Sequence, residues 1–138
     1  MIKYLSALLL ALFVATSAES AVSTSGLDEA IQSANTWLSL TDAGNYDEGY
    51  KQASALFKIS ATASDWEKFS QLRNLFGASA SRKLLSSNAV TTLSGMPDGE
   101  YMVLCFKAEY ANKKEANETL SLTKEEDGVW RIVGYQVK

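Results

Sequence analysis

The sequence predicts an α+β fold in which three N-terminal helices pack on one face of a curved, four-stranded antiparallel sheet. Between residues 25 and 77, apolar residues recur at helical spacing, whereas from Ser81 onward they alternate with polar residues as in strands. Short turns separate the strand segments, which places consecutive strands side by side and antiparallel. No linker or internal repeat interrupts residues 25–138, so we expect a single domain.

Three helices are expected before the sheet. The first begins near Ser25 and ends near Asp42, and its apolar residues form one stripe: Leu27, Ala30, Ile31, Ala34, Trp37 and Leu38. A turn at residues 43–45 follows. A second, shorter helix is predicted by the spacing of its apolar residues: Tyr46, Tyr50, Ala53 and Phe57. The third helix starts at a capping-box pattern over residues 64–67 and is closed by Gly77.

Four strands are expected in the second half, over residues 84–93, 101–110, 118–124 and 129–137. In the second strand, alternation puts four apolar side chains on one face: Met102, Leu104, Phe106 and Ala108. The segment 95–99 carries the only proline and is a turn. The acidic segment 125–127 and Gly128 form a hairpin turn that lacks the ligand spacing of a calcium loop.

The first 18 residues are typical of a secretory signal peptide. Lys3 precedes the uncharged, mostly apolar segment 4–14, and small residues at 15–18 allow cleavage after Ala18. The apolar segment is well short of the roughly 20 residues that cross a bilayer. We therefore expect residues 1–18 to be removed and residues 19–24 to form a flexible N-terminus. The mature protein would be periplasmic or secreted, without membrane attachment.

Histidine is absent from the chain, and cysteine occurs once, as Cys105. The absence of histidine excludes Ser-His and Cys-His catalysis and imidazole metal sites. A single cysteine excludes an internal disulfide, and its apolar neighbours favour burial as a small hydrophobic residue. No catalytic residue, metal or cofactor is therefore expected. Nucleic acid is not an expected partner, because Lys113-Lys114 is too small a basic patch.

A series of short motifs runs through residues 34–137: Trp37-Leu38, Asp42-x-Gly44-x-Tyr46, Trp66, Gly77, Ser81-Arg82-Lys83-Leu84, Pro97-Asp98-Gly99-Glu100-Tyr101, Tyr110-Ala111-Asn112-Lys113, Glu118-Thr119 and Gly128-x-Trp130-Arg131-x-x-Gly134-Tyr135. In this order they resemble the bacterial domain-of-unknown-function family 4019. The chain departs from the family pattern at Gly49-Tyr50, where a Ser-Trp-like pair is expected. The resemblance implies an exported domain with a cystatin-like or nuclear-transport-factor-2-like fold, and it implies no established activity.

Aromatic side chains and two arginines are the candidate ligand-binding residues: Trp37, Tyr46, Tyr50, Arg82, Tyr101, Trp130, Arg131 and Tyr135. Tryptophans at helical spacing commonly fill a core, but in a cone-shaped fold they also line pockets between sheet and helices. Both interpretations stay open for Trp37, Trp66 and Trp130.

Strand alternation places Arg131 on one face with three apolar or aromatic residues: Val129, Val133 and Tyr135. A partly buried arginine needs a carboxylate, and three are available on neighbouring strands: Glu100, Glu109 and Glu118. The guanidinium would then either fix the sheet register or bind an anionic group of a ligand. For Arg82 three interpretations stay open: it fixes the sheet register, binds an anionic group of a ligand, or lies at the solvated surface.

The absence of a catalytic set favours a non-enzymatic binding or accessory role, with a protein or a small apolar or anionic ligand as partner. One alternative is a histidine-free isomerase or hydrolase, because Asp42 and Asp47 are close in sequence to Tyr46 and Tyr50. Another is an assembly domain that forms a homodimer through its sheet.

Overall fold

The computed structural model describes residues 24–138, and within that range the chain forms four helices followed by four strands. The helices are α1 (Thr24–Asp42), α2 (Tyr46–Gln52), α3 (Ala55–Ser60) and α4 (Ala63–Asn74). The strands are β1 (Ser79–Val90), β2 (Tyr101–Tyr110), β3 (Lys113–Lys124) and β4 (Trp130–Val137). The signal peptide expected at residues 1–18 lies outside the described residues, as do residues 19–23.

The strands form an antiparallel sheet in the order β1-β2-β3-β4, which confirms the α+β class and the meander. The second strand has the bounds that were predicted. Two others begin earlier than expected, β1 at Ser79 and β3 at Lys113. Their first residues are mostly polar and carry no apolar alternation, but main-chain pairing does not require apolar side chains.

The expectation of three helices is wrong, because the second predicted helix is two helices, α2 and α3. At Ser54 the main-chain N–H donates to the Ile132 carbonyl of β4 at 2.9 Å, which draws the backbone out of the helix. The Ser54 hydroxyl then accepts from the Leu56 N–H at 3.2 Å and caps α3. The spacing from Tyr46 to Phe57 did not reveal this break, since the apolar residues of α2 and α3 face the same core.

The N-cap of α4 lies two residues before the expected one, at Thr62 instead of Ser64. Thr62 is the N-cap, and its hydroxyl accepts from the Asp65 N–H at 3.2 Å while the Asp65 carboxylate accepts from the Thr62 N–H at 3.1 Å. Both Thr62 and Ser64 have the residue type of a cap and a carboxylate three residues later, Asp65 and Glu67, so the pattern alone does not separate them, and the chain uses the first pair.

The core lies between the helices and one face of the sheet. Of the expected apolar face of β2, Met102, Leu104 and Phe106 are buried in one cluster with the α1 stripe that contains Ala30, Ala34, Trp37 and Leu38. Ala108 is buried in a second, smaller cluster with Tyr110 and Ala116. Cys105 points to the opposite face and is only partly buried. None of the helices within residues 24–138 has both the length and the apolar content that a bilayer crossing requires.

A bulge in the β3–β4 ladder corrects the expected facing of β4. Leu122 pairs with Ile132 and Ser121 pairs with Gly134, which leaves Val133 as an extra residue. Arg131 pairs with Thr123 and therefore lies on the face opposite to Tyr135, which pairs with Leu120 on the core face. The prediction that Arg131 shares a face with Tyr135 is wrong for this reason.

Candidate functional site

The structure separates the candidate residues into four places rather than one site. Arg82 and Tyr135 belong to a buried charge cluster, Trp37, Trp130 and Arg131 line a groove beside β4, and Tyr46 and Tyr50 line a groove between α2 and α4. Tyr101 is buried on the face opposite to the core helices, where its hydroxyl donates to the Pro97 carbonyl. No single pocket among the described residues collects all eight.

Trp37 and Trp66 are core residues with satisfied indole groups. The Trp37 Nε1–H donates to the Gly49 carbonyl and the Trp66 Nε1–H donates to the Tyr46 carbonyl, each at 2.8 Å. Their ring centroids lie 5.7 Å apart, and the Trp37 ring meets the Tyr135 ring edge-on at 5.2 Å. Both tryptophans therefore tie α2 to its neighbours and stabilise the core mainly by packing.

Two carboxylates and two arginines form a charge cluster between the helices and the sheet, made of Asp42, Arg73, Arg82 and Glu118. The Arg82 Nε donates to Glu118 at 2.8 Å, and its two terminal nitrogens donate to the Asp42 oxygens at 2.8 and 3.0 Å. The Arg73 guanidinium donates to the same Asp42 at 2.9 Å. The formal charges of the cluster cancel, so the end of α1, α4, β1 and β3 are joined without a net buried charge.

Tyrosines complete the cluster. The Tyr135 hydroxyl donates to Glu118, and the Tyr110 ring lies under the Arg73 guanidinium at 4.0 Å from its centroid. Burial, together with the negative charge of Glu118, raises the pKa of Tyr135 and raises that of Tyr110 to about 12. Burial alone would lower the pKa of Arg82, but its bonds to Asp42 and Glu118 outweigh that effect and raise it. All these groups hold their ordinary charge at neutral pH.

The sequence left open whether Leu72 or Arg73 lies on the buried side of the third predicted helix, and it did not name Arg73 as a site residue. Trp66, Phe69 and Arg73 follow one another at helical spacing, so all three lie on the buried side of α4. Hydrophobicity favours the neighbouring Leu72 for that side, but Leu72 is 60% exposed and Arg73 only 2%. The guanidinium is accommodated there because Asp42 and the Tyr110 ring receive it.

Arg131 has different partners from those expected. It donates to both Asp127 oxygens at 3.0 and 2.9 Å and lies 3.4 Å from Glu125, whereas Glu118 is taken by Arg82. The hydrogen bond from Arg131 lowers the pKa of Asp127. Arg131 thus closes the β3–β4 hairpin at its solvated tip, because the bulge turns it away from the core.

The residues of the alternative acid–base site are not brought together in one groove. Asp42 is held by two arginines in the charge cluster, whereas Asp47 lines the groove between α2 and α4 with Tyr46 and Tyr50. The six central residues of the cluster line neither this groove nor the one beside β4: Asp42, Arg73, Arg82, Tyr110, Glu118 and Tyr135. Among residues 24–138 no group of three acidic or cysteine side chains could hold a metal ion.

The best-formed candidate site is a groove of about 780 Å³ between α1 and β4, which we call the hairpin groove. Its residues come from three elements: Glu29, Gln32, Ser33, Thr36 and Trp37 of α1, Lys51, Gln52 and Ala53 around the end of α2, and Gly128, Val129, Trp130, Arg131 and Ile132 of the β3–β4 hairpin. The α1 residues recur at helical spacing and present amide, hydroxyl and carboxylate groups. This wall is suited to a ligand that forms hydrogen bonds.

Trp130 distinguishes the hairpin groove from the rest of the surface. The side chain is 3% exposed, and its indole Nε1 is buried without a hydrogen-bond partner. A buried donor without an acceptor costs about 1–3 kcal/mol. The other two tryptophans of the chain, Trp37 and Trp66, have carbonyl acceptors at 2.8 Å, so Trp130 is the tryptophan whose indole is unsatisfied.

Comparison with known proteins returned one family. Residues 33–135 match the model of a family described as "Protein of unknown function (DUF4019)". None of the curated proteins compared with the chain is similar enough to count as a relative. The match covers nearly the whole of the segment in which the motifs resemble that family.

Proposed function

The chain belongs to the DUF4019 family of proteins of unknown function, and we propose that it is a non-enzymatic binding domain whose ligand lies in the hairpin groove. The observations that carry the proposal are a groove of about 780 Å³ and the buried, unpartnered Nε1–H of Trp130, one of the residues that line it. A ligand oxygen that reaches this group and accepts its hydrogen bond would remove the cost of the unsatisfied donor, and that gain would favour the bound state.

The polar wall of α1 supports the same proposal. Gln32 and Thr36 are exposed on the wall and Ser33 is half-buried beside them, which provides several donors and acceptors with no core role. Ligand sites commonly combine an apolar floor with a few polar groups that orient the ligand. Here Trp37, Trp130 and Ile132 supply the apolar residues.

We also propose that the protein works outside the cytoplasm, in the periplasm or as a secreted protein. The proposal rests on the sequence of residues 1–18, in which Lys3, the apolar segment 4–14 and the small residues before Glu19 follow the order of a signal peptide. The mass of the protein recovered from the periplasm or the medium tests it, and we expect an N-terminus at Glu19. An intact N-terminus on protein that stays in the cytoplasm would contradict export.

A finer description of the fold belongs to the proposal as well. The packing of α1 on one face of an antiparallel sheet is in keeping with a cystatin-like or nuclear-transport-factor-2-like architecture. A cleft between a helix and a sheet can hold a ligand, and the hairpin groove is lined by α1 and β4.

Native mass spectrometry of protein purified from its own cells tests the binding function. We expect the wild-type protein to carry mass beyond that of the polypeptide, and the Trp130→Phe variant to carry less. Tyr101→Phe is the matched control, because it also changes one buried aromatic donor but lies away from the groove. A bare polypeptide in the wild type would contradict the proposal, and a doubled mass would favour a homodimer instead.

A further inference from the structure

We propose that the ligand of the hairpin groove is an extended peptide whose main chain pairs with the free edge of β4 at Trp130. This inference rests on the proposed binding function and names the class of its ligand. It follows from the direction of the main-chain groups of β4, the length of the groove and the charges at its two ends.

The hydrogen-bond pattern shows that the main chain of Trp130 points away from the sheet. Trp130 of β4 lies opposite Lys124 of β3. The Lys124 N–H points away from Trp130, because it donates to the Glu100 carbonyl on the β2 side at 3.0 Å. The pair is therefore a non-hydrogen-bonded one across β3 and β4. The neighbouring Val129 carbonyl does face β3, where it accepts from the Glu125 N–H at 3.0 Å.

The same edge of β4 already forms a main-chain hydrogen bond at Ile132, two residues after Trp130. The Ile132 carbonyl points outward and accepts from the Ser54 N–H at 2.9 Å. The N–H and C=O of Trp130 point to the same side, and they have no hydrogen-bond partner among the described residues. An edge strand with unpaired groups is a template for an added strand, and the segment at Ser54 occupies only part of this edge.

The groove has the length of a short strand. Its α1 wall extends from Glu29 to Trp37, which is about 12 Å at the rise of a helix. Its β4 side extends from Gly128 to Ile132, which is about 13 Å at the rise of a strand. The two estimates agree, and they correspond to about four residues of extended peptide.

The two ends of the groove carry opposite charges that form no ion pair within residues 24–138. Trp37, at the far end of the α1 wall, contacts Tyr135 beyond Ile132 and donates to Gly49 of α2, so Glu29 at the other end of this wall lies towards Gly128. Lys51 lies three residues before Ser54, which meets Ile132. Because β4 runs from the first end towards the second, an antiparallel peptide would place an acidic residue first, beside Lys51, and a basic residue last, beside Glu29.

Peptide main chain suits the groove better than a sugar or an apolar molecule does. Sugars bind tryptophan mainly through an exposed ring face, but Trp37 and Trp130 are each only 3% exposed. An apolar ligand would bury the amide and hydroxyl groups of Gln32 and Thr36 without partners. A strand offers these side chains and the Trp130 edge both donors and acceptors.

A blocked four-residue peptide with an acidic first residue, two β-branched residues and a basic last residue is the probe. We expect saturable binding, and at least tenfold weaker binding when the central amide that faces the Trp130 carbonyl is N-methylated, because this removes one main-chain donor. A peptide with the two charges exchanged is the second control and should also bind more weakly. Equal binding of the N-methylated peptide would overturn main-chain pairing.

Nuclear magnetic resonance provides a readout that needs no substitution in the protein. The indole N–H signal of Trp66 is the internal control, since Trp66 has an acceptor and does not line the groove, whereas the Trp130 indole has no acceptor. We expect the amide and indole signals of Trp130 to move on peptide addition while the Trp66 indole signal stays in place. Peptide binding that leaves the Trp130 signals unchanged would overturn the assigned place.

The outcomes separate this inference from the binding function on which it rests. If none of the peptides binds but a non-peptide ligand is retained in native mass spectrometry, the binding function stands and the peptide class is wrong. If none of the peptides binds and the protein is bare, both are wrong. Dimerisation lost in Trp130→Phe would assign the groove to a second copy and would also overturn the peptide.

Discussion

Glu118 is fully buried, and its two carboxylate oxygens have different partners, Arg82 at 2.8 Å on one and the Tyr135 hydroxyl on the other. At the scale of single residues, such a group stabilises the fold only because every bond is made. Removing one partner leaves a buried charge uncompensated, which costs about 3–5 kcal/mol. The Arg131–Asp127 pair at the hairpin tip is exposed to solvent and screened by it, so it contributes much less.

We expect Glu118→Gln to lower the free energy of unfolding by about 3 kcal/mol, because Arg82 loses its buried counter-charge while the volume is kept. Urea denaturation at neutral pH measures the change. Asp127→Asn removes a surface carboxylate that also accepts from an arginine, and its effect should be much smaller because the pair is solvated. Equal effects of the two substitutions would contradict the stabilising role of the buried cluster.

At the scale of elements, local sequence signals located each helix and strand but not all of their ends. The bounds of β2 were predicted correctly because its apolar alternation is uninterrupted from Tyr101 to Tyr110. The ends of β1 and β3 were missed because their polar residues pair through the main chain. The start of α4 was misplaced because two cap-type residues, Thr62 and Ser64, lie within one turn.

Thr62→Ala should therefore destabilise the protein by about 1 kcal/mol, the usual cost of losing an N-cap side chain. Ser64→Ala is the matched control and should have an effect close to zero, because Ser64 is an exposed residue inside the first turn of α4. Thermal unfolding of the two variants side by side checks this. A larger loss in Ser64→Ala than in Thr62→Ala would show that the helix begins where the sequence alone suggested.

At the scale of the whole molecule, the helical layer is fastened to the sheet at the end of α4. Gly77 has φ +77°, and a Cβ there would lie 3.0 Å from the Ala111 Cβ in the β2–β3 turn. Next to it, the Asn112 N–H donates to the Phe76 carbonyl at 2.8 Å. The left-handed conformation and the close approach both require glycine at this junction.

Replacing Gly77 with alanine should cost more than the same replacement at Gly95. Gly95 has the same positive φ but no atom within 4 Å of a Cβ, so it reports the backbone strain alone, about 1 kcal/mol. We expect Gly77→Ala to exceed that by about 1 kcal/mol or more, because the β2–β3 turn must shift. Equal losses in denaturant unfolding would mean that the layers are not held tightly at this point.

The candidate site was predictable only in part, because residue types can be recognised locally in the sequence whereas their partners lie far away along the chain. The sequence named Trp130, Arg82 and Tyr135 as residues of interest, since aromatic and arginine side chains in a strand pattern are recognisable locally. It could not show that Arg82 pairs with Asp42 and Glu118, because those partners lie 40 and 36 residues away. It also paired Arg131 with the wrong carboxylates, since a single bulge reverses the face of every residue beyond it.

The sequence by itself determined the α+β class, the order of the strands and the family, because periodicity, turn residues and motif order are properties of neighbouring residues. Only the tertiary structure decided that the second helix breaks at Ser54, that Arg73 is buried and that the edge of β4 is left open at Trp130. Each of these depends on whether a residue distant in sequence provides a partner, and hydrogen bonds and ion pairs between distant residues exist only once the chain has folded.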